Sequence, residues 1–308
     1  MKSNSFFGET EYFKAVNGVS FSVEKEGTFA VVGESGSGKS TLGKSVMRLI
    51  DITEGSVFFE DKDITTITGE ELRFFRQNIQ IIFQDPYSSL NPRHRIKRII
   101  TEPLIVFNRI KKDEIDAKAA ELLKRVGLPE SAAEKYPHQF SGGQRQRVGI
   151  ARAIALNPKL IICDEPVSAL DVSVQAQILN LMMDLKEQLG LSYIFISHDL
   201  AVVENISDNV AVMYAGEFME FGTKDDIFNR TAHPYTKLLI SSVPEIGKDI
   251  SEKPIITKVA DELNKPPGEN ACPFCPRCPD VMDKCRQEKP GSIKISANHY
   301  ASCFLLES

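Results

Sequence analysis

Residues 33–40, "GESGSGKS", have the types and spacing that bind phosphate. Glycines allow successive backbone N–H groups to turn inward around an anion, and a following helix adds the positive end of its dipole. In the pattern G-x-x-x-x-G-K-[ST], Lys39 would reach the β- and γ-phosphates of a nucleotide, and the Ser40 hydroxyl would bind Mg²⁺. The competing interpretation is a flexible glycine turn. Because the loop lies between a predicted strand and a predicted helix, we expect a nucleotide site.

Two acids follow an apolar segment farther along, in "LIICDEP", and offer the metal site that a phosphate loop needs. Asp164 would hold Mg²⁺ through water, and Glu165 would polarise the attacking water as a general base. The segment "IFISHDL" places His198 at the end of another predicted strand, where α/β sites form and where it could contact the γ-phosphate. The alternatives are an acid pair that only caps the next helix and a structural histidine.

Five of the six cysteines lie near the C-terminus, in "CPFCPRCPDVMDKC" and at Cys303. Their spacing is C-x2-C-x2-C-x6-C, followed by seventeen residues and the last cysteine. Zinc sites and iron–sulfur clusters both take four thiolates from short spacings of this kind. The spacing alone favours neither zinc nor [4Fe–4S], and unmetallated thiols stay open as a third possibility.

The composition is that of an ordinary globular protein, with 308 residues, 42 % hydrophobic and 26 % charged. The net charge of −5 argues against a surface for nucleic acid or anionic lipid. No segment approaches the ~20 apolar residues of a membrane span, and the N-terminus lacks the apolar core of a signal peptide. We therefore expect a cytosolic protein whose thiols stay reduced and serve as metal ligands rather than disulfides.

Alternating strands and helices are needed to position these residues. The sequence predicts a buried strand at Thr28–Val32 and a helix from about Lys39. Further strands are predicted in "GSVFFEDKDIT", "NIQIIFQD", "KLIICDEP" and "SYIFIS". A hairpin is predicted in "NVAVMYAG" and "EFMEFGT". Helices are predicted in "DEIDAKAAELLKRVGL", "SGGQRQRVGIARAIALNP", "VQAQILNLMMDLKEQLG" and "DLAVVENIS". This alternation predicts an α/β fold with a mostly parallel sheet, interrupted by a helical insert at about 86–150. A polar segment at 247–270 is predicted to link it to the cysteines.

Six motifs occur in one order: "GESGSGKS", "FQDPYSSLNPR", "FSGGQRQR", "LIICDEP", "SALD" and "ISHD". Together they resemble the ATP-binding subunit of an ABC transporter over about residues 14–240. The resemblance implies an ATP hydrolase coupled to transmembrane transport, with ATP and Mg²⁺ as ligands. It also implies a P-loop NTPase core with an antiparallel β subdomain, an inserted α-helical subdomain and a small cysteine-rich C-terminal extension. We expect the ATPase domain at 1–230 and the extension at 231–308.

The resemblance assigns roles by motif. The implied nucleotide-binding residues are Gly33, Glu34, Ser35, Gly36, Ser37, Gly38, Lys39, Ser40 and Thr41 in the Walker A loop; Ser141, Gly142, Gly143 and Gln144 in the signature motif; and Asp171 in the D-loop. The implied catalytic residues are Glu165, His198 and Gln84, and the implied Mg²⁺ ligands are Ser40, Gln84 and Asp164. A serine and two glycines that begin a helix form an anion site, with a plain N-cap as the alternative. In the family this motif faces the γ-phosphate held by the other subunit, which implies a dimer with two ATPs.

The motif "FQDPYSSLNPR" and the later "HPYTKLLISSVP" resemble the ATPases of oligopeptide/dipeptide and nickel importers, and specifically the F-type subunit. The implied partners are a second, different ABC ATPase subunit, two membrane-spanning permease subunits and, indirectly, an extracytoplasmic solute-binding protein. The implied location is peripheral, on the cytoplasmic face of the cell membrane. An importer of nickel or a metal chelate stays open as an alternative. A single ATPase domain and a negative net charge argue against a soluble ABC ATPase of translation or DNA repair.

In this family the tail pattern is approximately C-x5-C-P-x5-C with a last cysteine farther on. By resemblance, the ligands of a [4Fe–4S] cluster are Cys272, Cys278, Cys285 and Cys303, with Zn²⁺ as the alternative metal and Cys275 as the spare or alternative ligand. The cluster has no evident route into phosphoryl transfer. We therefore expect a structural staple rather than a redox sensor.

The N-terminus departs from the family pattern, because members usually begin with a further strand and this chain begins at about the end of that strand. We expect either a shortened chain or an unusual start. An aromatic residue near that strand normally stacks on adenine. The candidates here are Phe7, Tyr12 and Phe13, and simple packing is the alternative for each.

Overall fold

The computed structural model describes residues 14–242, 268 and 270–307, and these divide into two compact units. Unit 1 comprises the described residues of 1–21, 31–42 and 198–308, and unit 2 comprises 22–30 and 43–197. Strand β1 (Thr28–Val32) has the predicted bounds and is buried throughout, and the division between the units falls within it. The three N-terminal aromatic candidates and nearly all of the predicted linker lie outside the described residues.

Unit 2 contains three parallel strands, β4 (Ile79–Ile82), β5 (Leu160–Asp164) and β6 (Ser192–Ser197). They lie in the order β4-β5-β6, with Cys163 paired to Ile82 on one side and to Phe195 on the other. Strand β5 is buried along its whole length, as expected for an apolar run in a parallel sheet covered on both faces. The sequence prediction of parallel strands is confirmed here.

The predicted helical insert is also confirmed in unit 2. Its helices are α3 (Ile96–Val106), α4 (Ile115–Arg125) and α5 (Gly142–Ile154), and α3 packs against both others. The buried side chains of these helices recur at helical spacing and form one core. The remaining helices that lie in or end in this part are α1 (Lys39–Val46), α2 (Gly69–Asn78) and α6 (Val172–Leu189). Helix α6 ends at Gly190, whose left-handed φ of 62° suits a glycine C-cap.

The prediction of one strand over residues 55–65 is wrong. The structure has two two-residue strands instead, β2 (Phe58–Phe59) and β3 (Lys62–Asp63), which pair antiparallel. The turn between them places Glu60 and Asp61 at φ values of 48° and 63°. Positive φ at both central residues is the geometry of a tight type I′ hairpin, so the chain reverses within the alternating pattern.

Unit 1 contains the predicted hairpin, formed by β7 (Asn209–Tyr214) and β8 (Glu217–Thr223). Strand β8 also pairs antiparallel with β10 (Tyr300–Ala301), which in turn pairs with β9 (Ile293–Lys294). The helices of this unit are α7 (Leu200–Ile206), α8 (Lys224–Asn229), α9 (Pro234–Ser241) and α10 (Asp283–Gln287). The last residues of the chain thus extend the sheet that begins with the hairpin. No helix in the described part of the chain is long and apolar enough to cross a membrane.

Candidate functional site

The phosphate loop is held in unit 1 by close approaches of backbone to backbone. Gly33 has φ +152°, and a Cβ atom there would lie 2.1 Å from the Met213 carbonyl oxygen. Gly38 has φ +105°, and its Cβ would lie 2.2 Å from the Ala15 carbonyl oxygen. Only glycine fits both the backbone conformation and the space. Packing alone therefore requires glycine at positions 33 and 38.

Lys39 begins helix α1 and points its ammonium group back into the loop. Its Nζ donates to the carbonyl oxygens of Gly33 at 2.7 Å and Glu34 at 2.8 Å, and lies 3.4 Å from Ser37 Oγ. The residue is only 4 % exposed. A buried cation beside the N-terminus of a helix is an arrangement that favours an anion, as the motif predicts.

Glu34 carries contacts that the motif did not predict. Its carboxylate accepts two hydrogen bonds from the Arg277 guanidinium, and its backbone N–H donates to the Tyr235 hydroxyl. Both partners lie more than two hundred residues away in the chain. No local pattern could have indicated them, because Arg277 is a single basic residue between two cysteines.

The acid pair lies at the end of β5 in unit 2. Asp164 ends the strand and is 5 % exposed, and Glu165 follows it at a left-handed φ of 46°. The Glu165 N–H donates to the Ile196 carbonyl oxygen at 2.9 Å, which ties the turn to β6. Gln84 Nε2 donates to Glu165 Oε2 at 2.8 Å. The structure thus brings together two of the predicted catalytic residues from positions 81 residues apart.

The serine and glycines of the signature motif begin helix α5. Ser141 is the N-cap: its Oγ accepts from the Gln144 N–H, and its own N–H donates to Gln144 Oε1. After this capping box, the first two residues of the helix are Gly142 and Gly143. A Cβ on Gly143 would lie 2.4 Å from Val174 Cγ1, so α6 approaches the signature motif closely. The N-cap that was the alternative interpretation of this motif is therefore present, and anion binding by the same residues stays a prediction.

Two further residues that the motifs assign to the nucleotide site, Asp171 and His198, are exposed to solvent. Asp171 is the exposed N-cap of α6 in unit 2, and no side-chain cap bond is formed there. The loop before it is held by Gln175, whose Nε2 donates to the carbonyl oxygens of Val167 and Leu170. His198 is exposed in unit 1 and precedes α7, whose N-cap Asp199 accepts from the Ala201 and Val202 N–H groups.

All six cysteines lie in the described residues and are free thiols. Cys163 is buried in β5, where burial raises its pKa well above the usual range, so it is a core residue. The other five line one small cavity, together with His233, Phe274 and Phe304. Burial raises the pKa of Cys272 and of Cys278 to about 11, and nearby cysteines add to both shifts.

The cysteines that line this cavity have the donor chemistry that a thiolate-bound metal or cluster uses. Five thiols face one space, and buried thiols with raised pKa values need a cation to become thiolates. Within residues 14–242, 268 and 270–307, no three cysteine, histidine or carboxylate side chains are already arranged to hold a metal ion. Cys275, the residue that the family pattern sets aside, lines the cavity with the rest.

A buried acid and two histidines, none of them predicted from the sequence, fix the C-terminal residues to β8. The Glu220 side chain is fully buried, and its Oε1 lies 2.7 Å from His299 Nε2. Its carboxylate also accepts from the backbone N–H groups of Ala232 at 2.8 Å and His233 at 3.0 Å. His233 Nδ1 in turn accepts from the Tyr235 N–H and caps helix α9. His233 and Tyr235 of "HPY" are therefore part of a structural network.

Comparison with known proteins identifies the family. A family model described as "ABC transporter" matches residues 16–168, and one described as "Oligopeptide/dipeptide transporter, C-terminal region" matches 219–285. The chain is 48 % identical to the oligopeptide transport ATP-binding protein AppF of Bacillus subtilis, over 99 % of this chain and 93 % of that one. The chain belongs to the ATP-binding subunits of ABC transporters. It is therefore an ATPase subunit, and the predicted P-loop fold with a mixed α/β sheet is confirmed.

Other members of the ABC transporter family agree with this assignment. The dipeptide transport ATP-binding protein DppF of Escherichia coli is 46 % identical over 98 % of this chain and 90 % of that one. A solved dimeric structure of the ATP-binding cassette MJ0796 in a post-hydrolysis state, bound to ADP and Pi, has a TM-score of 0.64 and 30 % identity. It covers 72 % of this chain and 95 % of the solved chain.

Proposed function

We propose that this ABC transporter subunit hydrolyses ATP to power the import of di- and oligopeptides. The observation that carries the proposal is similarity over nearly the whole chain to ATP-binding proteins named for oligopeptide and dipeptide transport. The match of 219–285 to the oligopeptide/dipeptide C-terminal region supports it independently of the ATPase motifs.

In this proposal the residues from Gly33 to Thr41 bind the nucleotide phosphates. The buried Lys39 ammonium would leave the carbonyl oxygens that it now contacts and neutralise the β- and γ-phosphates. Ser40, Asp164 and Gln84 would hold Mg²⁺, which when bound neutralises charge that develops on the phosphates.

Glu165 is proposed as the general base. Its carboxylate is oriented by the Gln84 amide, which can release it or hold it in line with the attacking water. His198 is proposed to contact the γ-phosphate and to help position that water.

The signature motif, Ser141 to Gln144, together with Asp171, is proposed to act across a dimer on nucleotide held by the partner. The similar cassette whose solved structure is dimeric and bound to ADP and Pi supports the dimer. The proposed assembly contains a second ABC ATPase subunit, two membrane-spanning permease subunits and an indirectly acting solute-binding protein, with no nucleic acid. The subunit would lie peripherally on the cytoplasmic face of the membrane.

We also propose an ATPase domain at 1–230 and a C-terminal extension at 231–308 that holds a [4Fe–4S] cluster. Cys272, Cys278, Cys285 and Cys303 are the proposed ligands, with Cys275 as the alternative ligand and Zn²⁺ as the alternative metal. When bound, the cluster would cross-link a segment with a small core. An anaerobic preparation should be brown and should absorb at about 400 nm. A colourless protein with stoichiometric zinc would contradict the cluster.

The transport proposal is tested by purifying the subunit with its membrane partners and solute-binding protein and measuring ATP hydrolysis with added ligands. Dipeptides and oligopeptides should stimulate hydrolysis, and free Ni²⁺ or a nickel chelate should not. Stimulation by nickel alone would support the metal-importer alternative. No response to any peptide would contradict the substrate assignment.

A further inference from the structure

An ion pair joins the cysteine segment, residues 272–303, to the phosphate loop within unit 1. Arg277 Nη1 and Nη2 donate to Glu34 Oε2 and Oε1 at 2.6 and 2.7 Å. Two parallel bonds between a guanidinium and a carboxylate fix direction as well as distance. The two side chains are about a third and two fifths exposed, so the pair is partly shielded from water.

The backbone around the cysteines holds Arg277 in place. Arg277 ends a single 3₁₀ turn, Cys275–Arg277, and its N–H donates to the Phe274 carbonyl oxygen. The turn is tied to the rest of the segment, because the Cys275 N–H donates to the Cys272 carbonyl oxygen at 3.1 Å and the Cys272 N–H donates to the Cys285 carbonyl oxygen at 2.8 Å. A change in the packing of these cysteines would therefore move the guanidinium.

Aromatic rings surround the guanidinium and connect it to a second contact with the loop. Arg277 lies 5.7 Å from the centre of the Tyr214 ring and 6.0 Å from that of Phe274. Both rings pack on Tyr235, with centres 4.8 and 5.1 Å away. The Tyr235 hydroxyl accepts the Glu34 N–H at 3.1 Å, so one cluster holds Glu34 by its side chain and by its backbone.

Glu34 transmits this restraint to the residue that binds phosphate. Its carbonyl oxygen accepts from Lys39 Nζ at 2.8 Å. A shift of the Glu34 backbone would alter the neighbouring loop N–H groups, on which phosphate binding depends, and the contact from which the ammonium moves to the phosphates. Contacts thus run without interruption from Arg277 through Glu34 to Lys39.

We propose that Arg277 is a positioning residue of the phosphate loop, through which the cysteine segment sets the affinity of the subunit for ATP. The contacts required are those between Arg277, Glu34 and Tyr235, and no bound metal is needed for them. The cysteine segment then affects ATP binding as well as stabilising its own fold.

A double-mutant cycle in the assembled transporter tests the ion pair. Arg277→Gln should raise the KM for ATP about two- to fivefold, the range of a partly exposed pair. Its kcat at saturating ATP should stay within about twofold, since a positioning contact in the binding loop acts on ground state and transition state alike. Glu34→Gln should raise KM by a similar factor, and the double variant should be no worse than either single variant.

Two controls separate positioning from general damage. Lys294→Gln removes the same charge from an exposed residue that contacts the Tyr300 ring, and its KM should match the wild type. Arg277→Lys keeps the charge but loses the two-bond geometry, so its KM should lie between those of wild type and Arg277→Gln. Should Arg277→Gln not fold, Glu34→Gln breaks the same pair without changing the cysteine segment. An unchanged KM in Glu34→Gln, or single effects that multiply in the double variant, would overturn the proposal.

The coupling to the cysteines is tested by equilibrium binding of a fluorescent ATP analogue, which does not depend on turnover. Cys285→Ser should weaken binding in the wild-type background by about the factor seen for Arg277→Gln. In the Arg277→Gln background the same substitution should have no further effect. Equal weakening in both backgrounds would show that the cysteines do not act through Arg277.

Discussion

Substitution of Glu220 should destabilise the attachment of the C-terminal residues to β8. The size of the loss can be worked out from the hydrogen bonds that the carboxylate accepts. Three donors converge on the buried carboxylate: the N–H groups of Ala232 and His233, and His299 Nε2. Glu220→Ala leaves these donors without a partner in a site that excludes water. At roughly 1–3 kcal/mol for each unsatisfied buried donor, and with partial relaxation, the free energy of unfolding should fall by about 3–5 kcal/mol.

Urea denaturation followed by circular dichroism measures this change. Glu220→Gln keeps one acceptor oxygen, so we expect a smaller loss of about 1–2 kcal/mol. Glu204→Ala, at an exposed position in α7 of the same unit, should change stability by less than about 0.5 kcal/mol. If Glu220→Ala cost no more than Glu204→Ala, the network would not hold the C-terminal residues in place.

Three further predictions concern the loop, the catalytic acid and pH. Gly33→Ala places a methyl group 2.1 Å from the Met213 carbonyl oxygen, so ATP binding measured by calorimetry should be lost; binding at wild-type affinity would contradict the packing argument. Glu165→Gln should lower kcat by at least about 100-fold with ATP still bound, and an unchanged steady-state rate would remove the general base. Burial lowers the pKa of His233 to about 4, and its Nδ1 accepts the Tyr235 N–H, which requires the neutral ring. The unfolded state binds more protons below pH 6.5, so stability should fall by up to about 3 kcal/mol between pH 6.5 and 4, and His233→Gln should flatten that slope in urea titrations.

Local patterns predicted the parts of this fold that local forces determine. The bounds of β1, the phosphate loop and the β7–β8 hairpin follow from apolar runs and glycine positions that neighbouring residues decide. The hairpin at residues 58–63 was not predicted, because Glu60 and Asp61 adopt a positive φ without the usual glycine or asparagine.

Local sequence patterns could not predict contacts between residues that are distant in the chain. Nothing near Arg277 indicates that its partner is Glu34, and nothing near Glu220 indicates that it binds His299. Such pairs depend on how elements pack, which periodicity does not encode. The motifs predict catalytic roles for both Gln84 and Glu165, and the structure joins these two side chains by a hydrogen bond.

The most direct test of the central claim is ATP-driven accumulation of a labelled dipeptide in proteoliposomes that contain the assembled transporter. With the solute-binding protein outside and ATP at the ATPase subunits, peptide should accumulate against its gradient. Vesicles with Glu165→Gln, or without ATP, should only equilibrate. Equal uptake with and without ATP, or no uptake of any peptide, would contradict the proposal that ATP hydrolysis by this subunit powers peptide import.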